Sequence, residues 1–219
     1  MSTLKIYTPP EKSNLKIIHQ DDDIIVVSKP SGLLSVPGRN PDHHASVHQY
    51  IADDIPTARI IHRLDMDTSG LMVLAIHADS QRHLNKQFET RKVTKHYTAD
   101  IWGHPNDEHG EIDLPLRCDW PNRPLQMVDH TLGKPSKTLW RVLTHTDSST
   151  RVELTPITGR SHQLRVHMRE IGHPILGDVF YAKGDALLAA PRLCLHASVL
   201  CFEHPANARM MRFDDQIPF

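Results

Sequence analysis

The most constraining stretch of this 219-residue chain lies between residues 58 and 77. Two apolar, β-prone runs, 58–62 and 71–77, enclose the segment RLDMDTSG. Short apolar runs bounded by turn residues read as buried strands. The segment between them must then be a loop fixed at the end of a rigid scaffold, where a reactive side chain is best held. Asp65, beside Arg63, stands out there as a candidate catalytic carboxylate. Asp67 is two residues further on, which invites a glycosidase reading, because glycosidic bonds are cleaved between two carboxylates about 5 to 10 Å apart. Two positions in one loop are poorly placed to straddle a sugar. Asp67, followed by Thr68, Ser69 and Gly70, reads instead as a turn residue whose side chain bonds local amides.

Around this loop the pattern implies a mixture of strands and helices. Residues 16–19 and 24–28 form two short strands separated by the Asp21–Asp23 turn, and 45–54 form a helix with Val47, Tyr50 and Ile51 on one face. Asp79 or Ser80 caps a helix to about Glu89, with Leu84 and Phe88 facing the core. KHYTADIWG alternates as a strand, placing Tyr97, Ala99 and Ile101 on one face. Residues 106–135, rich in Gly, Pro and charge, read as an excursion with Arg117, Trp120, Arg123 and Lys134 exposed. Strands follow at 136–144 and 151–156, then an amphipathic helix in RSHQLRVHMREIG whose Leu164, Met168 and Ile171 make the apolar stripe. His162, Arg165 and Arg169 lie together off that stripe as a basic side. GHPILGD is a loop and 193–202 a closing strand. The first 14 residues, with Pro9 and Pro10, form an irregular arm, and no Pro/Ser-rich linker divides residues 15–219, which read as a single catalytic domain.

Composition excludes several classes. No apolar run approaches the roughly 20 residues of a membrane helix, and the N-terminus lacks a signal-peptide core. The three cysteines, Cys118, Cys194 and Cys201, are odd in number and without CxxC spacing, which fits a reducing cytoplasm. The 25 basic and 26 acidic residues give a net charge of −1. A polyanion partner would then have to meet a locally positive face, such as Arg160, Arg165 and Arg169. His44 and His48 have i, i+4 spacing, yet no Glu completes a metalloprotease motif, and His162 and His167 diverge by about 140° around a helix. No metal site is expected from them. Phosphate-binding glycine loops are absent, so no nucleotide cofactor is indicated. Ser69 and Ser161 lack a nucleophile elbow.

Taken in order, KPSG, HRLDMDTSG, KHYTADIWG, TGRSHQLRVHM, GHPILGD and RLCLHA resemble the RluA family of pseudouridine synthases over residues 15–205. The resemblance implies an α+β fold with a bent, mixed, mostly antiparallel sheet, flanking helices and a central active-site cleft. It implies isomerisation of uridine to pseudouridine in RNA without any cofactor. The short N-terminal arm cannot hold the S4-type RNA-binding domain of many relatives, so the resemblance narrows to compact members that act on large-subunit ribosomal RNA and the tRNA anticodon stem-loop. Carried over by position, Asp65 is the essential aspartate, Tyr97 the tyrosine stacking on the target base, and Arg165 the basic residue paired with the aspartate. Arg63 resembles the arginine that enters the RNA stack as the base leaves, and Leu195 an apolar residue lining the pocket. Arg160 and His162, in the same motif as Arg165, are expected to contact RNA. The expected protein is a monomeric cytoplasmic enzyme with RNA as its partner; the competing reading is a noncatalytic RNA-binding or ribosome-assembly protein of the same fold.

Overall fold

A computed structural model describes residues 7–219. The elements run β1 (Lys16–Gln20), β2 (Ile24–Lys29), α1 (Val47–Ala52), β3 (Arg59–Ile60), β4 (Ser69–Ala75), α2 (Ala78–Glu89), β5 (Thr94–Trp102), β6 (His109–Asp113), β7 (Leu116–Cys118), β8 (Gln126–Val128), β9 (Lys137–His145), β10 (Ser149–Pro156), α3 (Gln163–Glu170), α4 (Gly184–Leu188), β11 (Leu195–Glu203) and β12 (Met210–Asp214). This is an α+β fold with a mixed, mostly antiparallel sheet; the pairings of β1 with β2, β2 and β3 with β4, β5 with β10, β9 with β10 and β6, and β7 with β8 are antiparallel. Residues 15–219, expected as a single catalytic domain, contain two compact units. One comprises the chain up to Thr94 with Leu200–Asp215, the other Lys95–Val199 with Gln216–Phe219.

In the first unit β2 pairs with β1 on one side and β4 on the other, Ile24 opposite Ala75 and Lys29 opposite Gly70. Every residue of β4 is buried, which is why 71–77 carries a continuous apolar run rather than an alternating one. Its core joins Ile24, Val26, Leu71, Val73, Leu84 and Phe202. The expected strand at 58–62 is only the two residues of β3, paired to β4 at Arg59 and Ile60. Helix α2 starts at Ala78, at least two residues earlier than a cap at Asp79 or Ser80 would place it, and its cap is neither of these: the ring of His77 accepts from the Ser80 N–H. Residues 1–6 of the expected arm lie outside the described residues; residues 7–14 are irregular apart from a 3-10 turn at Lys12–Asn14, and they are tied down. Tyr7 donates to the Ala45 carbonyl at 2.9 Å and accepts from the Leu34 N–H at 3.0 Å, while Tyr50 donates to the Pro10 carbonyl at 2.8 Å.

In the second unit β5 pairs with β10, β10 with β9, and β9 with β6. The expected alternation of β5 holds, since Ala99 and Ile101 are fully buried and Tyr97 packs against the same cluster, which also contains Leu154, Leu164, Met168 and Leu195. The excursion at 106–135 is more ordered than its composition implied: β6 extends the sheet and β7 with β8 forms a separate two-stranded ribbon. Trp120, Arg123 and Lys134 are exposed as expected, but Arg117 is half-buried because its guanidinium pairs with Asp129. Helix α3 also departs from expectation. Rather than a basic side facing solvent, its residues from Gln163 to Met168 are all buried, Arg165 and His167 included.

Candidate active site

Asp65 belongs to the first unit, half-buried in a turn closed by the Thr68 N–H donating to its own carbonyl at 3.2 Å. What fixes the turn is the segment KPSGLLS, residues 29–35. Lys29, with no exposed surface, directs Nζ to the carbonyls of Pro30 at 3.0 Å, Leu33 at 2.7 Å and Met66 at 2.8 Å. Ser31 donates to the Asp67 carbonyl at 2.7 Å, and the Gly32 N–H donates to that of Met66 at 2.9 Å. Ser35 both donates to the Leu64 carbonyl at 2.7 Å and accepts from the Leu64 N–H at 3.0 Å. Residues on both sides of Asp65 are thereby held through their main chain. The Asp67 carboxylate accepts none of these bonds, so the scaffold role expected of that side chain falls to its carbonyl. Arg63 is exposed next to the buried Leu64, and upstream His62 accepts from the Val73 N–H at 3.2 Å while its ring stacks on Phe88.

The second unit carries Tyr97, Arg160, His162, Arg165 and Leu195. Tyr97 is half-buried opposite Leu154 in the β5–β10 pair. Leu195 opens β11 inside the core cluster that Tyr97 packs on. Arg165 is 2% exposed and its guanidinium meets the fully buried Asp178 in a fork, Nε to Oδ2 at 2.8 Å and Nη2 to Oδ1 at 2.6 Å. The rings of Phe180 and Tyr181 flank it at 5.1 and 5.2 Å. His162 enters the helix in the left-handed region, φ 54°, and its Nδ1 shares a 2.7 Å hydrogen bond with the Tyr181 hydroxyl, which also accepts from the Gln126 N–H at 2.8 Å. Burial, outweighing the Gln126 bond, pushes the Tyr181 phenol up to about 12. Arg160 is exposed at the head of the helix.

The TGRSHQLRVH motif separates into working and supporting residues. Gln163 accepts from Thr158 Oγ1 at 2.7 Å and the Arg160 N–H at 3.0 Å, and donates to the Lys137 carbonyl at 2.9 Å and Thr138 Oγ1 at 3.0 Å. His167 spans Thr138 Oγ1 at 2.9 Å and the Leu114 carbonyl at 3.0 Å. Burial, against the pull of that carbonyl, lowers the His167 pKa and favours the neutral ring. Both residues bolt the head of α3 to β9. His44 precedes α1, so it shares no helical face with His48. The group nearest to a metal-ligand arrangement among the described residues is Asp21, Asp23 and His204. Its oxygens already accept hydrogen bonds, from His19, His204 and two amides for Asp21, and from His77 and Ser80 for Asp23. Burial opposes ionisation of Asp21, but the His19, Ile24, Asp23 and His204 bonds outweigh it and hold the carboxyl at about 2.

Residues 23–170 match the family model described as RNA pseudouridylate synthase. The chain belongs to the RNA pseudouridylate synthase family. This synthase is 53% identical, over 94% of its length and 95% of the relative's, to the dual-specificity RNA pseudouridine synthase RluA of Escherichia coli K12. It is 50% identical over the same shares to the protein of that name from Pasteurella multocida. Among solved structures, human RNA pseudouridylate synthase domain containing 1 superposes with a TM-score of 0.80 at 30% identity, covering 97% of this chain and 87% of that one. The synthase is therefore an isomerase that converts uridine in RNA to pseudouridine.

Sequence reasoning missed Lys29, Ser31 and Ser35 as supports of the Asp65 turn, and Asp178, Gln163 and His167 as supports of Arg165 and its helix. KPSG and GHPILGD marked their positions without revealing whom they serve, because both motifs act across gaps of 13 or more residues in the chain.

Proposed function

We propose that this synthase modifies uridines in both large-subunit ribosomal RNA and the anticodon stem-loop of tRNA, with Asp65 as its essential carboxylate. The observation that carries the substrate reading is the 53% identity, over nearly the full length of both chains, to a relative named for dual specificity. In the reaction the N1–C1′ bond of uridine breaks, the uracil turns over, a C5–C1′ bond forms, and a proton is lost from C5 while N1 gains one. Nothing is oxidised and no cofactor is consumed. An ionised Asp65 can attack C1′ or C6, or take the 2′ proton on the way to a glycal. The family resemblance assigns Arg165 as the basic partner of that carboxylate and Tyr97 as the ring that stacks on the uracil. A paired or stacked base hides C1′ and C6, so the nucleotide must be flipped out, at a cost of a few kcal/mol. Arg63, exposed two residues from Asp65, is suited to fill the vacated stack; Arg160 and His162 contact the RNA backbone, and Leu195 lines the pocket. The protein acts as a monomer in the cytoplasm.

Mapping pseudouridine in ribosomal and transfer RNA from cells lacking this protein tests the substrate assignment. One site in each RNA class should revert to uridine and return when the wild-type protein, but not Asp65→Asn, is supplied. Retention of every pseudouridine in either class would sink the dual assignment, and rescue by Asp65→Asn would sink the catalytic one.

A further inference from the structure

We propose that Asp178 is the positioning residue for Arg165: it sets the orientation of that guanidinium and, through it, the rate of uridine isomerisation. The inference rests on the catalytic role proposed above for Arg165. Its starting point is the GHPILGD loop. Gly177 adopts φ +68°, and a Cβ there would lie 2.0 Å from the Arg192 carbonyl oxygen, so only glycine fits and the backbone ahead of Asp178 has one path. The Gly177 N–H is bonded to the Ala186 carbonyl at 3.0 Å. Beyond it, Asp178 Oδ1 accepts from the Phe180 N–H at 3.0 Å and the Tyr181 N–H at 3.2 Å, which locks the carboxylate to its own turn. A carboxylate fixed in this way presents two oxygens to Nε and Nη2 of Arg165 in the one plane a guanidinium can share.

Stability alone does not call for this pair. A buried ion pair roughly breaks even against apolar residues of the same volume, because desolvating two charges offsets their attraction. Orientation is what the pair adds. The Phe180 and Tyr181 rings confine Arg165 from the sides at 5.1 and 5.2 Å, which leaves the rotation of its plane to hydrogen-bond partners such as Asp178. Asp178 supplies that choice, and it also neutralises the guanidinium, so that Arg165 offers directed N–H donors rather than a diffuse charge. Lysine, lacking the fork, could not take its place.

The test is a double-mutant cycle on release of tritium from C5-labelled RNA transcripts under single-turnover conditions, with RNA dissociation constants measured in parallel. Asp178→Asn should slow the wild-type reaction by about 10²-fold, the scale expected of a misplaced catalytic group, while RNA affinity stays within about twofold. In an Arg165→Met background the same change should slow it no further. An unchanged rate in Asp178→Asn, or an equal fractional loss in both backgrounds, overturns the proposal. Should Asp178→Asn alone not fold, Arg165→Met, in which the Asp178 carboxylate keeps the Phe180 and Tyr181 N–H donors, is compared with Arg165→Met/Asp178→Asn, in which both charges of the pair are gone: equal rates support the route through Arg165 and a further loss overturns it. Activity remaining in Asp65→Asn would instead strike at the catalytic reading itself. An inactive Asp65→Asn beside a fully active Asp178→Asn would remove the positioning role only.

Discussion

The two units hold the groups proposed for catalysis by opposite means. In the first, Asp65 rides on a turn whose main chain is gripped at Leu64, Met66 and Asp67 by Lys29, Ser31 and Ser35. In the second, the guanidinium of Arg165 is gripped directly by another side chain, Asp178. A main-chain cradle fixes where the residue stands through the carbonyls of its neighbours. A side-chain clamp fixes the group itself, so that changing either partner disturbs both.

The sharpest way to separate the two is Asp65→Asn. It should abolish pseudouridine formation by at least about 10³-fold, as loss of a group forming a covalent or proton-transfer step does. Its urea midpoint, measured alongside, tells whether the carboxylate carries stability besides activity, since the cradle described above holds the main chain. A large drop in stability would mean that the carboxylate is itself structural. Next comes Lys29→Met, which strips donors from three carbonyls at a buried position. The Met66 carbonyl keeps the Gly32 N–H, so two acceptors are stranded at about 1 to 3 kcal/mol each, and unfolding free energy should fall by about 2 kcal/mol or more, measured by urea denaturation. A wild-type midpoint would show the cradle to be dispensable. Ser31→Ala removes one neutral hydrogen bond to the Asp67 carbonyl and should cost about 1 kcal/mol; the same titration checks it.

The smallest expected effect concerns pH in the second unit. His167 holds its proton less readily folded than unfolded, so below the ordinary imidazole range the unfolded chain binds more protons. The stability conferred by the neutral ring is fully present above about pH 6.5 and is lost as pH falls through that value towards the lowered one. Urea midpoints between pH 7.5 and 5 should therefore fall less steeply in His167→Gln than in wild type. Identical slopes would rule out a role for this ring.

Much of the fold was legible where burial and periodicity coincide. β4 announced itself by an unbroken apolar run, β5 by strict alternation, and α2 by Leu84 and Phe88. The two-residue β3 and the late β12 were not legible, since so short a strand leaves no period and β12 alternates exposed with half-buried residues. The basic side of α3 misled because charge reads as exposure unless a partner is known, and Asp178 lies 13 residues away in a loop. Asp65, Tyr97 and Arg165 were singled out by motif order, as the residues the family resemblance assigns to the site. Their supports stayed hidden because hydrogen bonds from Lys29 to Met66, or from Gln163 to Lys137, depend on topology that no local pattern encodes.

The Lys29 cradle has a consequence for which parts of this protein can vary. Everything that grips the acid's turn ends at Ser35, and the turn itself begins near Leu64. Between them, residues 38–42 are exposed and lie outside the cradle. Lengthening a surface loop costs only a fraction of a kcal/mol for each modest extension. Insertions there can therefore redraw the outer surface of the first unit while the carboxylate stays where it was.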